Sequence, residues 1–485
     1  MTHADPHHDR RWLILAILGI AQLMVVLDAT IVNIALPSAQ RDLGFSDDAR
    51  QWIITAYALA FGSLLLLGGR LGDLFGRKRT FIGGLLGFAA ASAVGGAAGS
   101  FGVLVAARAA QGMFGALLAP AALALLSTTF TDPDERGKAF GVYSAVAGGG
   151  AAVGLLLGGI LTETLNWRWC LYVNLLFAIP AALAAVRLLV NQARHDRAPL
   201  DLPGTASASL GLFALVFGFS NSEMESWGHP LTIAMLAASA VLLAAFVVIE
   251  SRAAHPLLPL RVVRDRTRGG AYLGLGLAAS AMFAVFLFLT YYLQRTQGFT
   301  PIETGLAFLP MTAAIISTAT AVNLVLLRRL GPRPLLTAGM TLGAAGMVWF
   351  AQLTPDSSYA GHVLPALVVT GLGLGAVFSS VFSTATYGVA HEDAGVASAM
   401  VNTMQQVGGS LGTAMLSSIF AHAVSSYTAG ERPTPELLGH AAVHGYTVAF
   451  WVAAGIFAVG AVLVAALIRP LRVSAVQPQL EPVPA

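Results

Sequence analysis

Long apolar runs separated by short polar segments make up almost the whole chain. Each run approaches the roughly 20 residues that an α-helix needs to cross a bilayer. The pattern predicts about fourteen transmembrane helices, at residues 12–36, 52–70, 80–99, 102–128, 139–162, 169–190, 204–221, 231–250, 270–293, 302–326, 335–353, 362–389, 394–422 and 444–468. The polar stretches between them are too short to fold as separate soluble domains.

Composition supports a membrane protein. Of the 485 residues, 56% are hydrophobic and only 11% are charged, whereas soluble proteins carry roughly 25% charged residues. The single cysteine, Cys170, lies in an apolar run, and we interpret it as a packing residue. The net charge of +3 gives no reason to expect a nucleic-acid partner.

Basic residues alternate with the helices. Of the 27 Lys and Arg residues, 21 fall in loops on the side of the N-terminus and five in loops on the other side. Because cytoplasmic loops carry the excess of positive charge, we expect both termini to lie in the cytoplasm, with the protein in the cytoplasmic (inner) membrane.

Glycines of the first half recur 255 to 258 residues later in the second half. The pairs are Gly76 with Gly331, Gly137 with Gly395, Gly150 with Gly408, and Gly154 with Gly412. An internal repeat of this kind is typical of transporters. It predicts a cytoplasmic N-tail (1–11), a six-helix bundle (12–190), a linker with two inserted helices (191–269), a second six-helix bundle (270–469) and a cytoplasmic C-tail (470–485).

Two charged residues interrupt the apolar runs. Asp28 lies about 16 residues into the first helix, or ~24 Å along it, where an ionised carboxylate costs ~2.5–3.5 kcal/mol. The position suits a carboxylate that takes up a proton, and the alternative is a structural Asp bonded to backbone. Spacings of 3, 4 and 7 predict that Arg108 shares one face of the fourth helix with Gln111, Gly112 and Gly115; the alternative is a structural Arg bonded to carbonyls.

Two glycine-containing motifs complete the pattern. The turn after the second helix combines Gly69, Asp73, Gly76, Arg77 and Lys78, which predicts a gating latch; the alternative is a basic topology anchor. In the fifth helix, small residues at helical spacing predict close approach of another helix, with generic packing as the alternative. These are Gly150, Gly154, Gly158 and Gly159.

Together these strings resemble the signature motifs of the major facilitator superfamily, specifically its fourteen-helix drug:proton antiporters. Asn166-Trp167-Arg168-Trp169 and Gln405-Gln406-Val407-Gly408-Gly409 are also similar to that family. The chain departs from the family pattern at three positions. Leu155 and Leu176 stand where the family usually has proline, and Gln405 stands where it often has arginine.

The resemblance implies an all-α major facilitator fold of 6+2+6 helices that exports hydrophobic or amphipathic drugs in exchange for protons by alternating access. Asp28 and Arg108 would couple the proton. Helices 1, 4, 9 and 12 would line the substrate cavity. The candidate lining residues are Asn33, Gln111, Phe286, Tyr291, Tyr292, Ser379 and Ser383, and ordinary bundle packing is the alternative for each.

The sequence is also compatible with other functions. The main alternative is a proton-coupled importer, or an exporter of one specific metabolite, on the same fold. A membrane enzyme would need clustered catalytic groups or metal ligands, and ATP-driven transport would need a Gly-Lys-Ser/Thr loop, which the sequence lacks. We expect no cofactor, no metal and a monomer in the lipid bilayer. With Asp28 as the deep acid, we hypothesise a neutral, weakly anionic or at most singly cationic substrate.

Overall fold

The computed structural model describes residues 10–45, 47–190, 201–254, 256–386, 389, 393–430 and 434–469. Across these residues the chain forms fourteen long helices. Their bounds are α1 Arg11–Leu43, α2 Asp47–Phe75, α3 Arg77–Gly96, α4 Phe101–Thr129, α5 Pro133–Thr164, α6 Trp169–Leu188, α7 Leu202–Met224, α8 Pro230–Arg252, α9 Arg266–Ala284, α10 Leu309–Ala321, α11 Pro332–Phe350, α12 Leu364–Thr386, α13 Ala394–Tyr427 and α14 Pro435–Leu467.

Several helices extend beyond the apolar runs that predicted them. The last helix begins at Pro435 and not near residue 444, because the Thr434 side chain accepts a hydrogen bond from Leu437 N at 3.2 Å. A capping side chain followed by proline is a standard helix start. The apolar run therefore marks the part of a helix suited to the membrane, while caps set its ends.

Helices of the second half contain π-helical turns. α9 continues through Val285–Leu289 and Tyr292–Thr296, and α10 is preceded by the short helix Pro301–Ala307 and continues through Val322–Leu326 to Leu327–Leu330. A further π turn, Tyr359–Val363, precedes α12. Such turns interrupt the regular hydrogen-bond ladder and are often found at functional sites. Hydrophobic periodicity does not predict them.

Eleven helical segments within the described residues are long and apolar enough to cross a membrane. The other three long helices are α3, α5 and α11, which are rich in glycine and carry charged residues in their first turns. All three pack against neighbouring helices of their own bundle. The architecture therefore agrees with the predicted all-α membrane fold.

The contacts group the helices as the sequence repeat predicts. α1 packs on α5, α2 on α4 and α3 on α6, while α9 packs on α13, α10 on α12 and α11 on α14. The two bundles meet where α2 and α4 contact α13, and where α5 contacts α10 and α12. The exact division at residues 190 and 269 stays a prediction.

The inserted pair α7–α8 lies beside the junction of the bundles. α7 packs on both α2 and α13. Ser220 Oγ lies 2.8 Å from Thr55 Oγ1 of α2, and Trp227 Nε1 donates to Ser418 Oγ of α13 at 3.0 Å. α8 instead exposes apolar side chains such as Val241 (68% exposed), as expected for a helix that faces lipid.

Candidate functional site

Asp28 lies at the centre of a buried polar network inside the first bundle. Its side chain is 0% exposed. Arg108 of α4 donates to Asp28 Oδ2 at 2.6 Å. Gln111 of α4 and Asn174 of α6 both donate to Asp28 Oδ1, at 3.0 and 2.7 Å. The carboxylate is thus enclosed by side chains from helices of its own bundle, and it carries hydrogen bonds suited to its charged form.

Arg108 makes further contacts that fix its guanidinium. It donates to Ile53 O at 3.3 Å through Nε and to Gln111 Oε1 at 2.8 Å. The guanidinium carbon also lies 4.4 Å from the centre of the Tyr57 ring, in a cation–π arrangement. Arg108 is therefore bonded both to a buried acid and to a backbone carbonyl, and its role in proton coupling stays a prediction.

The local sequence of α4 explains this placement. Residues 108 and 111 are one turn apart and face α1, as their spacing predicts. The prediction that Gly112 and Gly115 share this face was wrong: both face α2, and a Cβ added at Gly112 would lie 2.4 Å from Tyr57 O. The glycines let α2 approach α4, and this approach brings the Tyr57 ring over Arg108.

Two members of the network escaped sequence reasoning. Ser92 of α3 accepts hydrogen bonds from Gln111 Nε2 at 2.7 Å and from Asn174 Nδ2 at 3.3 Å. Asn174 and Ser92 are both 0% exposed. The available signal was an isolated amide in the apolar run of α6, but nothing in the run indicates which helix it faces.

The glycines of α5 pack against the part of α1 that carries Asp28. A Cβ at Gly150 would lie 3.0 Å from Val26, one at Gly154 would lie 2.1 Å from Thr30 Oγ1, and one at Gly158 would lie 3.0 Å from Ile31. Gly159 is also buried. The predicted close approach of another helix therefore involves α1.

The turn between α2 and α3 holds its predicted residues together. Gly76 adopts φ +96°, a conformation that glycine tolerates, and Gly331 adopts φ +75° at the equivalent turn of the second bundle. Asp73 accepts hydrogen bonds from Arg77 at 3.1 and 3.3 Å. Lys78 instead donates to Val186 O at 2.8 Å, at the end of α6. Gly69 is buried one turn earlier in α2.

Charged groups of the second bundle approach this turn. Asp73 lies near enough to Arg70 to be attracted by its charge, and near enough to Asp393, the residue before α13, to be repelled by it. Asp393 accepts hydrogen bonds from Arg261 of the short helix Leu260–Arg264 at 2.9 and 3.1 Å. We call these residues the basic-end cluster. The cluster places the α2–α3 turn near the start of α13 and includes Arg261 and Asp393, which sequence reasoning missed; the gating latch stays a prediction.

The residues predicted to line a substrate cavity are distributed over several environments. Phe286 is partly exposed and stacks on Phe308 with ring centres 5.6 Å apart. Tyr291 is 39% exposed, whereas Tyr292 is 0% exposed and donates through its hydroxyl to Thr354 O at 2.7 Å. The structure therefore places Tyr292 as an anchor for the segment between α11 and α12. The Asn33 side chain lies outside the described residues.

Ser379 and Ser383 both contact Asn323 in the π turn Val322–Leu326. Asn323 Nδ2 donates to Ser379 Oγ, and Ser383 Oγ donates to Asn323 Oδ1 at 3.2 Å. Asn323 also abuts α5, since a Cβ at Gly137 would lie 3.1 Å from Asn323 O. These serines therefore belong to a polar contact within the second bundle, beside the place where Asn323 packs on α5, and a role in substrate binding stays a prediction.

A narrow apolar recess borders the Arg108 guanidinium between α1, α2, α4 and α6. It is lined by Val32, Ala35, Leu36, Ala39, Ile53, Leu104, Arg108, Trp167, Cys170 and Leu171. Its volume of about 10 Å³ is at the lower limit for holding one water molecule. Trp167 is held by Asp42, whose Oδ2 accepts from Trp167 Nε1 at 3.0 Å and from Arg168 at 2.9 Å. In the part of the chain that the structure describes, no group of three His, Cys, Asp or Glu side chains is placed to hold a metal.

Comparison with known proteins gives concordant results. A sequence profile described as Major Facilitator Superfamily matches residues 18–413. The chain is 51% identical to the puromycin resistance protein pur8 of Streptomyces alboniger, over 95% of this chain and 92% of that protein. It is 40% identical to the cephamycin export protein CmcT of Amycolatopsis lactamdurans, over 82% of each. It is 37% identical to the tetracenomycin C resistance and export protein of Streptomyces glaucescens, over 87% of this chain and 78% of that protein.

A solved structure shares the fold. The crystal structure of the human organic anion transporter MFSD10 (TETRAN) matches with a TM-score of 0.66 at 14% sequence identity. The match covers 94% of this chain and 99% of the human chain. At this identity the likeness concerns the arrangement of helices alone.

Proposed function

Since the chain belongs to the Major Facilitator Superfamily and is therefore a membrane transporter and not an enzyme, we propose that it exports hydrophobic or amphipathic antibiotics in exchange for protons. The observation that carries this proposal is the buried Asp28–Arg108 pair with its 2.6 Å hydrogen bond. An acid and a base enclosed in an apolar bundle are rare, and at membrane depth they mark ion or proton pathways.

The geometry gives protonation of Asp28 a structural consequence. A proton on the carboxylate removes the anion that Arg108 faces, and a buried charge without a partner is strongly unfavourable. The Arg108 side chain then depends on Ile53 O, Gln111 and the Tyr57 ring, which belong to α2 and α4. Protonation therefore weakens the attachment of α1 to α4 and favours their rearrangement.

The site inside the first bundle separates the proton from the substrate. Asp28 is bonded to side chains of α4 and α6 and is fully buried. In this conformation a substrate between the bundles does not touch the carboxylate, so exchange works through helix movement. The Gly150–Gly154–Gly158 contact is suited to this, because it couples α1 directly to α5, which in turn packs on α10 and α12.

In the proposed alternating-access cycle, the basic-end cluster acts as a gate. With the basic loops in the cytoplasm, the cluster lies on the cytoplasmic side, and both termini do as well. Opening toward the cytoplasm would separate the α2–α3 turn from the start of α13. Asp73 is well placed near that helix start, where a negative charge is favoured by ~0.3–1 kcal/mol.

The class of substrate follows from the relatives and from the aromatic surfaces of the second bundle. The relatives are named for puromycin, cephamycin and tetracenomycin C. Phe286 and Tyr291, both partly accessible, offer flat apolar surfaces suited to an aromatic compound. Because Asp28 is bonded to Arg108, it does not supply a free negative charge for a dicationic substrate. Puromycin is therefore the first compound to test.

Transport in inside-out membrane vesicles tests the proposal. A proton gradient with an acidic vesicle interior, which drives protons outward, is expected to drive puromycin into vesicles that contain the protein, and a protonophore is expected to stop it. Vesicles without the protein and vesicles with the Asp28→Asn variant serve as controls. Gradient-independent uptake would contradict proton coupling, and proton-driven movement in the opposite direction would indicate an importer.

A further inference from the structure

Asn174 differs from the other partners of Asp28 in one respect. Its Nδ2 donates to Asp28 Oδ1 at 2.7 Å and to Ser92 Oγ at 3.3 Å. Its Oδ1 is buried and has no hydrogen-bond partner among the described residues. A buried carbonyl oxygen without a donor is unfavourable, and such groups in a native structure call for an explanation. Here the unpaired acceptor belongs to the same carboxamide that contacts the acid.

The charged form of Asp28 fixes the orientation of this carboxamide. A carboxylate only accepts hydrogen bonds, so the NH₂ group of Asn174 must face Asp28 Oδ1. The titratable and charged groups that interact with Asp28 from the surrounding helices are Arg108 of α4, Tyr57 of α2 and Cys170 of α6. Arg108 favours the charged form alone, because a guanidinium only donates.

A protonated Asp28 needs an acceptor for its new O–H group. The neighbouring oxygens are already engaged. Gln111 Oε1 accepts from Arg108 at 2.8 Å, and Ser92 Oγ accepts from Gln111 and Asn174. A half-turn of the Asn174 carboxamide about its Cβ–Cγ bond would put its Oδ1 where Nδ2 now lies, beside Asp28 Oδ1.

We propose that Asn174 is the positioning residue that accommodates both protonation states of Asp28, by rotating its carboxamide when the acid takes up or releases its proton. The inference rests on the proposed proton exchange. On uptake, a proton from water forms the O–H bond at Asp28 Oδ1, and the bond from Asn174 Nδ2 is replaced by one from Asp28 O–H to Asn174 Oδ1. The Ser92 O–H can donate to the same Oδ1. After the rotation, the NH₂ group of Asn174 lies where the unpaired Oδ1 was. One polar group of Asn174 therefore lacks a partner both before and after proton uptake.

The pH dependence of the exchange tests this assignment. In Asn174→Leu, which is similar in size but neither donates nor accepts, the charged form loses its stronger, charge-assisted bond. We expect the midpoint of proton release on puromycin binding to move to higher pH by about one unit, a tenfold change in proton affinity. Asn174→Ser can both donate and accept and is expected to restore part of the shift. Asn402→Leu is the matched control, since Asn402 is a buried amide of α13 that donates to Ser398 O at 3.0 Å.

Infrared difference spectroscopy of the purified protein provides a readout that does not depend on transport. The C=O band of protonated Asp28, identified by its loss in Asp28→Asn, is expected at a position typical of a hydrogen-bonded acid. It should move toward that of a free acid in Asn174→Leu and remain in place in Asn402→Leu. An unchanged band together with an unchanged pH midpoint in Asn174→Leu would overturn the role of Asn174. If wild-type transport is still proton-coupled in that case, the proposed function stands. Absence of proton coupling in the wild type would instead overturn the proposed function.

Discussion

The two bundles have related folds but differ in what they bury. The first bundle buries the acid Asp28 together with a base and two amides that contact it, and its described helices lack π turns. The second bundle contains all the π turns of the described residues and is rich in stacked aromatic rings, such as Phe288 with Phe420 at 5.3 Å. Among the described residues, the ion pair whose partners are both less than 5% exposed is Arg108–Asp28, which lies in the first bundle.

This contrast indicates a division of functions between halves that share one pattern of helix packing. We infer that the first bundle handles the proton and the second contributes most of the surface that an aromatic substrate contacts. Helix pairs that hold each bundle together are the same in both, since α5 packs on α1 as α13 packs on α9. The predictions below test whether the halves differ as this inference requires.

The largest expected effect follows from removing the acid of the first bundle. Asp28→Asn should abolish uphill efflux, because an amide does not exchange a proton in this pH range. The matched control on the same helix is Asp42→Asn, an acid that is partly exposed and pairs with Arg168 at 2.9 Å. Proton-driven efflux by Asp28→Asn at the wild-type rate would contradict the assignment of the proton site.

The second effect concerns stability. Arg108→Gln leaves Asp28 buried without its cation, which typically costs about 3–5 kcal/mol. The double variant Asp28→Asn/Arg108→Gln removes both charges and is expected to regain much of the stability while remaining inactive. Thermal unfolding in detergent of the four proteins of this cycle measures the coupling. Equal losses in single and double variants would show that the pair is not the unit that we describe.

The sequence predicted the number of helices and the repeat and singled out Asp28 and Arg108, though not their contact, because these features depend on long apolar runs and on charges that are costly in a membrane. It did not predict Ser92 or Asn174. A single hydroxyl or amide is common in an apolar helix, and its importance depends on the face that tertiary packing turns inward. Arg261 and Asp393 were missed because the contact joins residues 132 positions apart.

The π turns and the placement of Tyr292 also lay beyond sequence reasoning. A π turn adds one residue to a helical turn, so it shifts every later side chain around the helix. Residues 291 and 292 follow the π turn Val285–Leu289, and this shift turns Tyr292 toward Thr354 O while Tyr291 remains partly exposed. A regular helical wheel drawn through α9 gives no indication of this difference.

A third prediction compares equivalent glycines of the two bundles. A Cβ at Gly412 would lie 2.2 Å from Ser280 O, a backbone atom, whereas one at Gly154 would lie 2.1 Å from Thr30 Oγ1, a side-chain atom. Overpacking usually costs about 1–3 kcal/mol. We expect Gly412→Ala to be the more destabilising, and Thr30→Ala to rescue Gly154→Ala in part. If Gly412→Ala and Gly154→Ala lower the melting temperature equally and Thr30→Ala gives no rescue, the added methyl group is opposed by backbone atoms in both helix pairs.

The smallest effect concerns the basic-end cluster, where the bundles meet. Arg261 is 63% exposed although its partner Asp393 is 9% exposed, so this pair is worth no more than about 1 kcal/mol. Arg261→Gln leaves Asp393 without its cation and next to the like-charged Asp73. We expect the population open at this end to rise by at most about fivefold, and Asp393→Asn in the same chain to reverse the change by removing one of the two acids.

Distances between spin labels measure this population. Labels at Arg79 and Arg329, after replacement of both by cysteine in a Cys170→Ser background, report on the basic end from equivalent turns of the two bundles. High salt should reproduce the effect of Arg261→Gln in the wild type, since exposed charges are screened within a Debye length. Labels that report the same distances in all three proteins at both salt concentrations would show that the contact does not hold the bundles together. The closed end would then depend on the packing of Asn323 against Gly137 and Gly141 of α5, which carries no net charge.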